Sequence, residues 1–307
     1  MNKKRSGKTN SPFRYPGGKF YARKLILSCI PKHRKYCEPF LGGGSIFFAK
    51  EASEVNVLND KDEELINCYI QIRDNVEDLI SLLDGIPAKK ELHGYYKNDF
   101  KPSNDLERAM RWYYLNRTSY SGIMKHQNCY WGYGDKYSMK PENWPPHLRT
   151  VSDKLQKIEL RCQDFEEIIN SLDDKFFVFI DPPYFNADQD KFYNCTFTRE
   201  SHYRLERVLR KNKDRLRFLI TYDNCYTIKK MYEWCVSILD REWNYTINRT
   251  DDQRNGVKLK DGYKSERYKG KEIFITNYEI GDIVPVTSRT VTKPYFKQQK
   301  LNFKLKN

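Results

Sequence analysis

The chain has 307 residues, more than one minimal domain needs, which predicts a large domain or a core carrying an insertion. Lys and Arg number 55 against 41 Asp and Glu, a formal charge of +14 that asks for an anionic partner. With 39% hydrophobic residues the chain can build a substantial core, so wholesale disorder is not expected. No run of about 18 apolar residues occurs, so no membrane span is predicted. The basic N-terminus is not followed by an apolar stretch, so no secretory signal is expected either. The eight cysteines stand singly, with no CxxC pair. That pattern argues against a zinc ribbon or a redox dithiol, predicts no metal site, and fits a reducing cytoplasm. Aromatic residues make up 15% of the chain, with 23 Tyr and 17 Phe. Rings beside cations suit nucleic-acid grooves, but they also suit an ordinary core.

Residues 36–40 form a short apolar-rich run ending in a Leu-Gly-Gly-Gly turn, residues 45–51 have helical character, and residues 55–60 read as a second strand. Strand, glycine turn, helix and strand make a βαβ unit. From residue 61 to about residue 153 the pattern changes. Residues 62–83 and 106–117 carry apolar positions at helical spacing. Residues 119–138, rich in Gly, Tyr and polar side chains, read as loop or hairpin. The alternation then returns. Residues 176–180 and 217–223 are apolar strands of the buried type, a helix is expected over 228–235, and residues 272–278 read as the last strand. The expected organisation is an α/β core over 1–61 and 156–280, interrupted by an insertion over 62–155. A basic tail follows over 281–307; from 282 onward it carries six basic residues and one acid.

Gly42, Gly43 and Gly44 let the backbone turn tightly and allow a bulky ligand near the main chain. They form neither a P-loop nor the spaced dinucleotide fingerprint, and alone they suit a plain structural turn equally well. Asp60, at the tip of the next strand, can accept hydrogen bonds from ribose hydroxyls, or can cap the following helix. Asp181-Pro182-Pro183-Tyr184 is the sharpest signal. It closes a buried strand, where open α/β sheets place their ligands. The prolines fix φ and donate no N–H, so carbonyl acceptors are rigidly presented beside a carboxylate and a ring. Two acceptors and a π-face suit an exocyclic amino group on a flat base.

Together these pieces resemble the DNA adenine-N6 methyltransferases of the Dam type, over about residues 11–280. The run from Ser11 through Tyr15, Pro16, Gly17, Gly18 and Lys19 is similar to the family's N-terminal cofactor motif. Glu38, Pro39, Phe40, Leu41, Gly42, Gly43, Gly44 and Ser45 resemble its glycine motif under S-adenosylmethionine. Asn59-Asp60 matches the ribose-binding acid, Gln163-Asp164-Phe165 the segment beside the cofactor's adenine, and Asp181 to Tyr184 the catalytic tetrapeptide. The motifs also stand in the order of the family's α group. The resemblance implies a Rossmann-like sheet with helices on both faces and an inserted helical and β-hairpin recognition domain. It implies double-stranded DNA as substrate, and a flipped-out adenine stacked on Tyr184. Hydrogen bonds from the amino group to Asp181 and to the Pro182 carbonyl would localise the nitrogen lone pair for in-line attack.

The resemblance also implies where sequence is read. Residues 62–107 carry five basic and eleven acidic residues, and residues 108–151 seven and two, so the second half is expected to face DNA. Tyr120, Ser121 and Ile123 are candidate recognition or wedge residues, and Arg117 and Lys125 candidate phosphate or guanine contacts. Ser121 stands where GATC-specific members have Asn, and Lys125 where they have Arg. Residues 130–134 replace their Asn-Val-Pro-Phe-Gly stretch. Lys lacks the bidentate fork of Arg, so GATC is not the predicted target. Residues 248–271, with eight basic and four acidic residues, are expected to form a mobile loop beside the cleft. A setting in a restriction–modification system or a phage, with a cognate endonuclease, follows from the same likeness. Rival readings are a cytosine-N4 or protein-glutamine methyltransferase on the same fold, and a DNA-binding protein that has lost catalysis.

Overall fold

The computed structural model describes residues 8–134, 138–186, 194–244 and 269–280. The segment 248–268 and the tail 282–307 therefore lie outside the described residues. Among the described residues, seven strands form one sheet: β1 (Lys35–Glu38), β2 (Val55–Asn59), β3 (Glu159–Arg161), β4 (Phe176–Ile180), β5 (Arg217–Asp223), β6 (Ser237–Asn244) and β7 (Lys269–Thr276). Their order is β3-β2-β1-β4-β5-β7-β6. β1 to β5 run parallel, and β6 and β7 close one side as an antiparallel pair. Strands are added on one side of β1 up to β3 and on its other side from β4, and the carboxyl ends of β1 and β4 flank the crevice where such sheets bind ligands.

The period of two along each strand sorts side chains onto two faces. In β4, Phe177 and Phe179 enter one apolar cluster, while Phe176, Val178 and Ile180 enter the other. The second face is covered by α8 (Phe165–Ser171), α9 (Arg199–Lys211) and α10 (Tyr226–Met231). The first face is covered by α1 (Arg23–Cys29), α2 (Ser45–Ala49) and the helices between β2 and β3. Those are α3 (Glu63–Asp74), α4 (Val76–Leu83), α5 (Lys90–Asn98), α6 (Asp105–Thr118) and α7 (Trp144–Leu155). Their buried residues, including Tyr69, Tyr113 and Trp144, belong to the same cluster as Tyr36, Phe177 and Leu219 of the sheet. The helices between β2 and β3 thus rest on the sheet through a shared core.

Local signals explain the helix ends. Asp62 accepts from the backbone N–H of Glu64 and Leu65 and starts α3, so the cap is Asp62 rather than Asp60. Asn75 (φ −131°, ψ 38°) divides the apolar run 62–83 into α3 and α4. The hairpin implied for 119–138 is reduced. Ser119 and Trp131 form one antiparallel bridge around two short 3-10 turns, Tyr120–Gly122 and His126–Asn128.

Ile180, Ile220 and Ile275 lie side by side across β4, β5 and β7, each wholly buried. Ile220→Ala should destabilise the fold by about 2–5 kcal/mol, because a packed strand centre collapses poorly around the lost volume. Urea unfolding reads the change, and a loss under 1 kcal/mol would contradict this packing.

Candidate active site

One cavity of about 490 Å³ opens at the carboxyl ends of β1 and β4. Its wall contains Tyr15 to Lys19, Glu38 to Phe40, Gly42 to Ser45, Asp60, Asp164, Phe165 and Asp181 to Tyr184, so distant stretches of sequence meet there. None of Arg117, Tyr120, Ser121, Ile123 and Lys125 lines it.

The strand faces determine which acids point inward. Glu38 follows Cys37 onto the face of Tyr36; Asp181 follows Ile180 onto that of Phe179; Glu272 shares the face of Phe274. The cation among these carboxyls is Lys19, only 3% exposed. Its Nζ lies 2.8 Å from Asp181 Oδ1, donates to the Gly17 carbonyl at 2.9 Å, and stands 4.9 Å from the centre of the Tyr184 ring. Thr221, opposite on β5, donates to the same Asp181 oxygen at 2.6 Å. Burial raises Glu38 to about 8 even though the Tyr36 hydroxyl donates to it at 2.6 Å. Glu272, 1% exposed, is likewise pushed up to about 8 by burial, with Lys19 and the Tyr184 hydroxyl opposing the shift and Asp181 adding to it.

The glycine turn is built around Tyr15 and Asp60. Gly42 and Gly44 have φ of 47° and 63°, values that disfavour a side chain. A Cβ on Gly42 would lie 2.9 Å from the Tyr15 ring, and one on Gly43 would lie 3.0 Å from Tyr15 Cβ. Asp60 fixes the turn by accepting from the Gly42 N–H at 2.8 Å, and its other oxygen accepts from the Asp62 N–H at 3.1 Å. Burial raises its pKa to about 6. Asn59 holds the neighbouring strand ends by donating to the carbonyls of Pro39 and Gln163, both at 3.0 Å. Further round the wall, Phe40, Phe165 and Phe197 pack with ring centroids 5.4–5.6 Å apart. Asp164 caps α8 and pairs with Arg204 at 2.8 Å.

Glu272, Phe197, Arg204 and Asp223 line the cavity although sequence reasoning did not single them out as site residues. The signal in the sequence for Glu272 was an acid directly before the apolar run Ile273–Ile275; its pairing with Asp223 emerges only in the sheet. Asp223 accepts from the N–H of Phe185 at 2.9 Å, the N–H of Asn186 at 3.3 Å and the Asn186 side chain at 2.7 Å. It thereby fixes the chain leaving the tetrapeptide. Asp223→Ala should speed amide exchange at Phe185 and Asn186 by about tenfold or more, since roughly 1 kcal/mol is lost per hydrogen bond. Exchange unchanged by mass spectrometry would show that the clamp does nothing.

The residues expected at DNA divide. Tyr120 is exposed, and Ser121 and Lys125 are half-buried. Arg117 and Ile123, by contrast, are buried, and the Arg117 guanidinium donates to the Pro12 carbonyl at 3.4 Å. The charge excess of 108–151 is also partly consumed within the protein. Arg108 pairs with Glu63, Glu64 and Asp105, Arg149 pairs with Glu77, and Arg111 donates to the carbonyls of Tyr96 and Lys97. Four of the eleven acids of 62–107, namely Glu63, Glu64, Glu77 and Asp105, are thus counterions for this half. Lys125 and Lys140 are the lysines of 108–151 among the described residues.

A family model described as "D12 class N6 adenine-specific DNA methyltransferase" matches residues 15–247. "Type II methyltransferase M1.LlaDCHI" of Lactococcus lactis subsp. cremoris is 29% identical, covering 91% of this chain and 99% of the relative. "Type II methyltransferase M.MjaIII" of Methanocaldococcus jannaschii is 28% identical, covering 72% and 88%. The "DNA adenine methylase" of Escherichia coli K12 is 26% identical, covering 66% and 76%. With the tetrapeptide, glycine turn and N-terminal motif walling one cavity, the chain belongs to the D12 class of N6 adenine-specific DNA methyltransferases.

Proposed function

We propose that the protein methylates one adenine within a particular short sequence of duplex DNA, and that the base leaves the helix to enter the cavity beside Asp181. The observation that carries this reading is the convergence of Lys19 and Thr221 on a single oxygen of Asp181. Oδ1 is held from two sides, which leaves Oδ2 as the acceptor for an incoming amino proton. The rigid Pro182 carbonyl offers the second acceptor, and the Tyr184 ring a stacking surface. Two acceptors oriented before the base arrives favour a pyramidal nitrogen with a localised lone pair, and need no reorganisation during reaction.

The family's methyl donor is S-adenosylmethionine, which when bound supplies an electrophilic methyl group on a cationic sulfonium. The residues of the cavity fit it. The glycine turn brings backbone within reach of a bulky ligand, Asp60 has lone pairs left for ribose hydroxyls, and Phe40, Phe165 and Phe197 form an apolar wall for a flat ring. Asp60 and Asp181 place carboxylates in the cavity wall, which suits a cationic ligand. Tyr15 to Lys19 form the opposite wall, with Lys19 as counterion to Asp181.

In this reading residues 1–61 and 156–280 form the catalytic unit and 62–155 the DNA-recognition insertion. Tyr120, Ser121 and Lys125 face the duplex, and the buried Arg117 and Ile123 support them from beneath. Relatives named type II methyltransferases favour a restriction–modification setting inside the cell, alongside a cognate endonuclease.

Two outcomes test the reading. Incubation with labelled S-adenosylmethionine and mixed DNA, followed by nucleoside analysis, should place the label in N6-methyladenine; label only in cytosine or in protein would overturn it. Long-read methylation mapping in a methylation-free host should then reveal one recurrent target. The second outcome concerns pH. Ionised Asp60 accepts ribose hydroxyls far more strongly than the neutral acid does, and burial pushes its pKa up to about 6. Affinity for S-adenosylhomocysteine should therefore rise with pH and level off above about 7, being roughly tenfold weaker at pH 5 than at the plateau. Asp60→Asn should bind weakly with no such rise, and a wild-type profile flat from pH 5 to 8 would exclude this role.

A further inference from the structure

The cofactor motif and the DNA-facing segment are joined to each other by hydrogen bonds, away from the cavity. Asn116, wholly buried near the end of α6, accepts from the N–H of Arg14 at 2.9 Å and donates to the carbonyl of Arg14 at 2.8 Å. Its carboxamide thus pairs with Arg14 as a neighbouring strand would. The same amide nitrogen reaches the Gly122 carbonyl at 3.4 Å. From the other side, the Arg14 guanidinium donates to the Ser119 carbonyl at 3.2 Å. The two segments touch so closely that a Cβ on Gly122, whose φ is 72°, would lie 2.1 Å from the Arg14 carbonyl oxygen. One residue beyond Arg14, Tyr15 closes over the glycine turn, its ring against Gly42 and its Cβ against Gly43. One turn beyond Asn116, the chain reaches exposed Tyr120.

We infer that Asn116 is a positioning residue that couples the two ligands: duplex held at 120–125 stabilises the Arg14–Lys19 wall of the cofactor cavity, and bound cofactor stabilises the DNA-facing segment. The inference rests on the DNA-facing placement of 120–125 proposed above. The physical argument is that Asn116 satisfies both backbone groups of Arg14 while standing on the helix that delivers the recognition segment. Neither segment can shift without breaking bonds to the other, and coupling of this kind is reciprocal. A purely structural amide would make each ligand bind less well, but it would not link their affinities.

The test uses S-adenosylhomocysteine and a short duplex carrying the target mapped for the wild-type enzyme. With wild-type protein, the duplex should tighten S-adenosylhomocysteine binding by about fivefold or more, the lower end of ordinary coupling. Asn116→Ala should bind each ligand alone within a few-fold of wild type and lose the tightening. Gly122→Ala, which forces the segments apart from the opposite side, should lose it too. Tightening that persists in both variants, or that is absent from the wild type, overturns the inference. Should either variant fail to fold, hydrogen exchange on the wild type decides. Duplex alone should protect peptides covering 12–19 as well as 116–125. Protection confined to 116–125 contradicts the coupling, and protection of neither overturns it together with the DNA-facing placement on which it rests.

Discussion

The cavity depends on one buried ion pair. Lys19 is almost fully enclosed, and an ammonium in that position is tolerable only because Asp181 lies 2.8 Å away and the Gly17 carbonyl accepts a second hydrogen bond. Removing either partner would strand a charge, so the pair binds the N-terminal segment to the end of β4. The same contact orients Asp181. A carboxylate gripped at Oδ1 by an ammonium and a hydroxyl cannot rotate freely, and its second oxygen becomes a fixed acceptor. Positioning and charge are the two contributions that methyl transfer to a weakly nucleophilic amine requires.

The fold supplies this arrangement through strand periodicity. The carboxyl ends of β1 and β4 lie side by side where the strand order switches, and every second residue points to the face covered by α1 to α7. Glu38, Asp181, Thr221 and Glu272 all fall on that face for the same geometric reason. Because Glu38 and Glu272 are deeply buried, both titrate near 8 and carry little charge at neutral pH, so Asp181 faces Lys19 without two competing anions. The opposite face contributes no acid of this kind. It is filled with apolar side chains that hold α8 to α10.

Much of this was legible in the sequence because the relevant signals are local. Phe176–Ile180 and Arg217–Asp223 read as buried strands from their apolar runs, and the structure gives them those bounds. The glycine turn and the tetrapeptide declared themselves by composition, and both wall the cavity. What was not legible depends on tertiary context. β6 reads Ser-Ile-Leu-Asp-Arg-Glu-Trp-Asn, a polar edge strand with little alternation, and β3 has only three residues. α7 begins with Trp144, Pro145 and Pro146, where prolines resemble a break although they are well tolerated in a first helical turn. The family resemblance made Arg117 a candidate DNA contact, and only the packing of α6 against the N-terminal segment shows its guanidinium turned inward. A linear charge count also conceals internal pairing: Arg108 and Arg149 are engaged by Glu63, Glu64 and Glu77.

The claim on which the account turns is that Asp181 acts on the reacting amine rather than on the binding of either ligand. Asp181→Asn, which keeps an oxygen for Lys19 and Thr221 but replaces the second acceptor with a donor, should be assayed for S-adenosylhomocysteine binding, for binding of duplex DNA, and for formation of N6-methyladenine in a single turnover. The account predicts that both ligands still bind, with methyl transfer reduced by at least about a hundredfold, the loss expected when a preorganised electrostatic contact is removed. Single-turnover methylation close to the wild-type rate would contradict it.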